Sequence, residues 1–498
     1  MKHTQVRNGF ATLLLAACGA TPPASVPAPQ VLPAVIASDP SSQSNPVAAK
    51  KLPAAIERIH HVALHESRAL ELARSLTDDA GPRLTGSQGD KRAVAWGLRT
   101  MTALGFSNVR AEKVMAPHWV RGTESAEVVA PIAHRLSVTA LGRGIATGPN
   151  GVTAEVLEVE SLDALKKLDD TAARGKIVFA NVPMTRARDG HGYGDVVGVR
   201  WLGAHLAAKA GAVAFVLRSC GTDHDRMPHT GAKSPEKPDV PAGALSVPDA
   251  ELLHRLLQEH KSVSLQLTLT PKTLPDVETA NVVGEVLGSE KPNEIVMLGA
   301  HLDSWDLGTG AIDDAAGVGI VLEVARVIGL GAHPRRTVRV VLFANEESGG
   351  AGSKAYARAA GEAAKHVVSI EADFGGDRAY EFRVLGGPDA RAKLGGLADA
   401  LAPLSVKMVD HDADGGADLQ PLRALGVPVV DVRQDGTRYF DLHHTANDTI
   451  DKIDHDAIAQ ASAAFATVAY TIADLESDLG RIPVAKHKSL EWTSRTPR

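Results

Sequence analysis

The sequence predicts an α/β protein, a mixed, largely parallel central sheet flanked by helices, with a β-rich domain inserted ahead of its main part. Three observations point there. After Pro271, apolar runs alternate regularly with amphipathic helical patterns as far as about Leu475, as in a layer whose strands are joined by crossover helices. The stretch from about 131 to 272 differs: it holds short β-rich runs, such as Val152 to Val159 and Lys176 to Val182, with no carboxylates clustered at their ends. At 498 residues, the chain exceeds the size at which a single core stops growing, so two or three domains are expected.

From the N-terminus onward, each segment has its own physical reading. Lys2 and Arg7 precede an apolar run from Phe10 to Ala17, too short to span a bilayer but suited to a secretory signal. The run ends Leu15-Ala16-Ala17-Cys18, which resembles a bacterial lipobox. Residues 1–18 are therefore expected to be a lipoprotein signal, Cys18 the lipidated mature N-terminus, and the protein exported to the cell envelope, periplasm or exterior. Contact with a membrane is expected only through that anchor. The one other cysteine is Cys220, so no disulfide framework is available. Residues 19–50, rich in Pro, Ala, Ser and Val, cannot build a core and read as a disordered tether.

Residues 51–130 carry helical patterns, Ile56 to Leu76 and Lys91 to Leu104, the second closed by Gly105 as helices often are. They are taken as the N-terminal part of the same layer as 273–480, with 131–272 as the insertion and 481–498 as a C-terminal tail. A formal charge of −6 leaves no basic footprint for nucleic acid.

The chemistry is concentrated after residue 290. Glu294 to Gly299 leads into Ala300-His301-Leu302-Asp303, Thr337 to Phe343 into Asn345-Glu346-Glu347, and Val367 to Ile370 into Glu371-Ala372-Asp373. Open α/β sheets bind ligands beyond the carboxyl ends of their strands, so three strands deliver histidine and carboxylates to one crevice. Two loops add to them: Gly310-Ala311-Ile312-Asp313-Asp314, ahead of a helix from Val318 to Ile328, and His443-His444-Thr445. Each patch alone reads as surface polarity or as a helix cap, worth about 0.5 to 2 kcal/mol. Their convergence suits two divalent metals. Zinc takes imidazole nitrogen and carboxylate oxygen and leaves a catalytic position open. Two ions about 3.5 to 4 Å apart need roughly two terminal ligands each and a carboxylate between them. Adjacent Glu346 and Glu347, if at a strand end, point different ways, so that one binds metal and the other stays free as a base.

These residues, with Ser304-Trp305-Asp306, Pro82-Arg83-Leu84-Thr85-Gly86-Ser87 and Pro117-His118-Trp119-Val120-Arg121-Gly122, resemble the co-catalytic zinc peptidases of the M28 family, and within it a carboxypeptidase branch. The resemblance covers nearly the whole mature chain. It implies the zinc exopeptidase fold, with residues 131–272 as a protease-associated domain. It implies two Zn2+ ions, His301 and Asp373 on one, Glu347 and His444 on the other, and Asp313 bridging. Glu346 would be the general base, and the Asp303 carboxylate would hold the far nitrogen of His301. The implied substrates are small peptides, dipeptides with free termini foremost, and the implied assembly is a homodimer. An aminopeptidase of longer peptides, a glutaminyl cyclase-like acyltransferase needing one zinc, and a binding protein without catalysis are the other readings. The intact ligand set argues against the last two.

Several features are set aside. Asp410 to Gly415 starts like a calcium loop, but position twelve is Pro421, not the bidentate Glu such a loop requires. Cys220, Asp223, His224, Asp225 and His229 are read as a solvated polar turn, although Pro228-His229-Thr230-Gly231 shares the family likeness. His61 and His65 lack the glutamate of a zinc-binding helix and read as helix surface. Spacing cannot separate His443 from His444; only the family's His-Thr pattern favours His444.

Overall fold

The computed structural model describes residues 52–359 and 361–487. The signal, the Cys18 anchor, the tether and all but the first residues of the C-terminal tail lie outside the described residues.

Two eight-stranded sheets organise the chain. Four strands run parallel at the centre of the first, in the order Arg336–Phe343, Lys291–His301, His366–Glu371 and Val429–Gln434. Antiparallel pairing extends the sheet on both sides, with Lys272–Val286 and Ser107–Val120 at one edge, and Ala379–Leu385 beyond Val429–Gln434 at the other. The central strands are continuous apolar runs because both faces are covered; every residue from Arg336 to Phe343 is buried. Register then sets the site. His301 pairs with Phe343 and Gly299 with Glu371, so two strands end level, the third ends two residues short, and all three release their next residues into one crevice.

Helices Ala316–Gly329 and His455–Asp474 pack together and against Ala54–His65 and Ala69–Ala80. The His455–Asp474 helix is alanine-rich and buried on all sides from Ala457 to Ala469, as a helix hydrophobic all round must be. Gly319 makes one close approach possible: a β-carbon there would sit 2.4 Å from the Ala69 carbonyl oxygen. The single helix expected over Ile56 to Leu76 is two, broken at Glu66 to Arg68. The phase of the apolar positions explains the break. Ile56, Ile59 and Ala63 continue in helical phase onto Glu66 and Leu70, which are not buried, whereas Ala69, Leu72 and Leu76 are. An unbroken helix would turn the wrong face inward. The Gln88–Ala103 helix is capped by Ser87, whose hydroxyl accepts the Asp90 N–H, and is followed by Gly105 at φ +81°.

The second sheet uses strands between Glu124 and Leu269, so its first strand, Glu124–Ala130, lies ahead of the composition change at 131. The long helix His191–Lys209 covers it. Among the described residues, no helix is long and apolar enough to cross a membrane.

Candidate metal centre

Asp313 is the hub of the crevice. Its Oδ1 lies 2.9 Å from His301 Nε2, and its Oδ2 lies 3.1 Å from His444 Nε2 and 3.5 Å from His443 Nε2. On the His301 side, Asp373 Oδ1 approaches Nε2 to 3.4 Å; on the other, Glu347 Oε2 approaches His444 Nε2 to 3.0 Å. Ligand atoms about 2.0 to 2.2 Å from a tetrahedral ion stand about 3.4 Å apart, and the donor pairs here lie at 2.9 to 3.5 Å, at or somewhat inside that spacing. Two donor groups within metal-holding reach result among the described residues, His301–Asp313–Asp373 and Asp313–His443–His444. Glu347 Oε1 is buried and has no hydrogen-bond partner. A buried acceptor is rarely left bare, so the donor set and its unfilled valence fit divalent metal.

Each donor is aimed by backbone and by neighbours. His301 ends its strand and its Nδ1 donates to the Asp303 carbonyl oxygen at 3.0 Å, which aims Nε2 at Asp313. This corrects the sequence reading of Asp303, whose carboxylate stands 3.9 Å from Nδ1. That carboxylate instead accepts the Glu346 N–H at 3.0 Å and the Thr85 hydroxyl at 3.2 Å. Glu346 and Glu347 also differ from expectation: they sit in a turn after the strand, not on its end. Asn345 at φ +63° starts that turn, its carbonyl accepting the Gly350 N–H at 2.6 Å. The turn, rather than strand pleat, separates the two side chains. Asp373 lies in the loop just past His366–Glu371.

Charge is crowded here. Burial alone would strip the proton from His301, but Asp373 and Asp313 outweigh it and hold the imidazole well above its ordinary range. Burial would raise Asp313, yet His301 and His444 bring it well below. Burial pushes the Glu346 carboxyl well up, with Asp373 adding to it. His444 is lowered to about 4, chiefly by burial, so its imidazole is neutral, the state that binds metal.

Sequence reasoning missed the groups that hold the Asp313 loop. Asp448, three residues past Thr445, accepts the N–H of Ile312 at 2.5 Å and of Asp313 at 3.2 Å. Asp314 plays the capping role foreseen for the pair, accepting the N–H of Gly317 and of His301. Arg83, quoted in the sequence without a role, is buried and binds the carbonyls of Leu302, Thr309 and Gly310 at 2.6 to 2.8 Å. The expected solvated turn around Cys220 and His229 is solvated only at its tip, where His224 and Asp225 are exposed. Cys220, Asp223 and His229 are buried, because the turn packs beneath the His443–His444 loop. His61 and His65 do lie exposed on a helix surface.

Peptidase family M28 matches residues 281–469, the stretch that contains all five candidate ligands. Mouse carboxypeptidase Q is 37% identical over 421 residues, covering 84% of this chain and 88% of that protein. The chain belongs to peptidase family M28. This M28 metallopeptidase also resembles a solved M28 peptidase precursor from Shewanella amazonensis, at 42% identity and a TM-score of 0.84 over 86% of this chain and 98% of that one. A zinc aminopeptidase from Bacillus subtilis shares the fold, with 20% identity and a TM-score of 0.60 over 87% of this chain and 99% of that one.

Proposed function

We propose that this M28 peptidase is a two-zinc exopeptidase of small peptides, acting on dipeptides with free termini, and that it works outside the cytoplasm. The sharing of Asp313 between His301 and His444 carries the reading, because one carboxylate facing two separate imidazoles is what a bridged pair of ions needs. His301 and Asp373 would hold one zinc, Glu347 and His444 the other. Zinc at these positions would lower the pKa of a water and polarise the scissile carbonyl. The chain's own residues do the rest. Glu346, with its amide fixed by Asp303 and its carboxyl left free, takes a proton from the attacking water as the O–C bond forms. It returns that proton to the leaving amine as the C–N bond breaks. Burial of the crevice excludes bulk water and strengthens each interaction with the developing charge.

The likeness to carboxypeptidase Q supports small peptides with a free C-terminus. The sheet between Glu124 and Leu269 supports the reading of an inserted protease-associated domain, and the Leu15-Ala16-Ala17-Cys18 run supports export with a lipid anchor. A homodimer remains part of the proposal.

The test is hydrolysis of a dipeptide panel, free or blocked at either end, with and without a chelator. Cleavage of free dipeptides that stops on chelation and returns with zinc is the expected result. Cleavage of C-blocked substrates would make the enzyme an aminopeptidase, and cleavage indifferent to the chelator would sink the metal mechanism.

A further inference from the structure

His444 keeps an unusual posture for a residue with a side chain. Its backbone sits at φ +65°, a left-handed conformation that persists in a residue with a side chain only where the surroundings impose it. The surroundings come from the other sheet. The Thr230 N–H donates to the His444 carbonyl oxygen at 3.0 Å, and His444 Nδ1 lies 3.2 Å from the Thr230 carbonyl oxygen. A carbonyl can only accept, so Nδ1 carries the proton and Nε2 keeps its lone pair toward Asp313 and Glu347. Arg200 Nη1, 3.4 Å from the same ring nitrogen, also reaches that carbonyl at 3.5 Å.

One residue earlier, a second clasp holds the loop. His229 Nδ1 lies 2.7 Å from the His443 carbonyl oxygen, and His229 Nε2 lies 2.7 Å from Asp223 Oδ1. Both side chains are buried. His229 is tied down in turn, its N–H donating to the Ser219 hydroxyl at 2.8 Å, which donates to the Leu245 carbonyl at 2.6 Å. Gly221 leaves room for the ring: a β-carbon there would lie 2.2 Å from His229 Nε2. A buried histidine fixed at both nitrogens does more than fill space, since each bond is directional and one ends on the peptide beside His444.

We propose that the turn from Asp223 to Thr230 is a positioning element of the metal centre. The Thr230 carbonyl sets the tautomer of His444, and the Asp223–His229 pair holds the His443 peptide and with it the backbone that aims His444. The inference rests on the two-metal reading above and assigns the second-sheet region a part in it. Asp223 and His229 are positioning residues, since they act through His443 and His444.

The test is a stepwise metal titration of the full chain against a competing chelator, with the Co2+ absorption spectrum recorded alongside. Asp223→Asn and His229→Leu should weaken one of two binding steps by about 10- to 100-fold, the usual effect of removing a partner of a ligand, and should alter the Co2+ spectrum. His229→Asn, whose amide nitrogen falls where Nδ1 does and can still donate to the His443 carbonyl, should recover part of the loss. The unfolding midpoint of the metal-free protein separates aiming from mere packing. If the variants lower that midpoint yet bind metal as the native chain does, the proposal is overturned. Should His229→Leu not fold, Asp223→Asn, which keeps the shape of the side chain, carries the test. A native chain that binds no metal would sink the two-metal reading itself, whereas normal native binding with unaffected variants would sink only this inference.

Discussion

The Glu346 amide donates to Asp303 Oδ1 at 3.0 Å, while Asp303 offers its own carbonyl oxygen to His301. One residue thus aims a candidate ligand through its backbone and the proposed base through its side chain. Glu346→Gln keeps that amide bond and removes only the proton acceptor. Turnover should fall by about 10²- to 10⁴-fold, the usual share of a general base, with metal content unchanged. Steady-state kinetics beside elemental analysis would check it; a fully active Gln variant would remove Glu346 from the role.

Asp313 stands between both donor groups, whereas Asp373 and Glu347 each approach one histidine. Asp313→Ala should therefore lose both metals, and Asp373→Ala or Glu347→Ala one each. Metal stoichiometry after dialysis decides. Equal losses in all three would contradict a bridging role.

Arg83 ties three carbonyls around the crevice and lies close to Asp448, Asp303, Asp314 and Asp313. Arg83→Met should destabilise the fold by at least about 3 kcal/mol, since each buried acceptor left bare costs about 1 to 3 kcal/mol. Lysine should rescue little, lacking the planar fork. Denaturant melts would test this, and a near-native midpoint for Arg83→Met would refute it.

His366 predicts a pH dependence. Its Nδ1 donates to the Glu362 carbonyl at 2.6 Å and its Nε2 accepts from the Tyr356 hydroxyl at 2.9 Å, and burial foremost lowers it to about 4. The unfolded chain takes this proton near pH 6.5 while the folded chain refuses it down to about 4. Stability from this group is therefore full above pH 6.5 and is lost as pH falls between those values, by about 3 kcal/mol in all. His366→Gln, which can keep the bond from the Tyr356 hydroxyl and does not titrate, should flatten the slope of urea midpoints over that window. An unchanged slope would show that other groups dominate.

The central strands were legible because a parallel sheet covered on both faces leaves unbroken apolar runs, and the Lys291–His301, Arg336–Phe343 and His366–Glu371 strands lie where those runs stand. The broken first helix was less legible, since no Pro or Gly marks Glu66 to Arg68 and only the phase of burial shows the change. The solvated reading of Asp223 and His229 failed for a related reason. Asp, Gly and Thr signal a turn, but nothing local says whether the turn meets water or another loop.

By itself, the sequence determined the residue types and order of the candidate centre: His301, Asp313, Glu346, Glu347, Asp373 and His444 each follow a run whose periodicity places it at a strand end or in a loop. The apolar period of a strand is a local pattern, so the strand ends could be read ahead. Only the tertiary structure decided how those residues are aimed. The Asp303 carboxylate serves Glu346 and not His301, Asp448 and Arg83 hold the Asp313 loop, and Thr230 grips His444 from more than two hundred residues away in the chain. Those bonds join segments whose nearness depends on the packing of whole layers, and no local pattern along the chain encodes it.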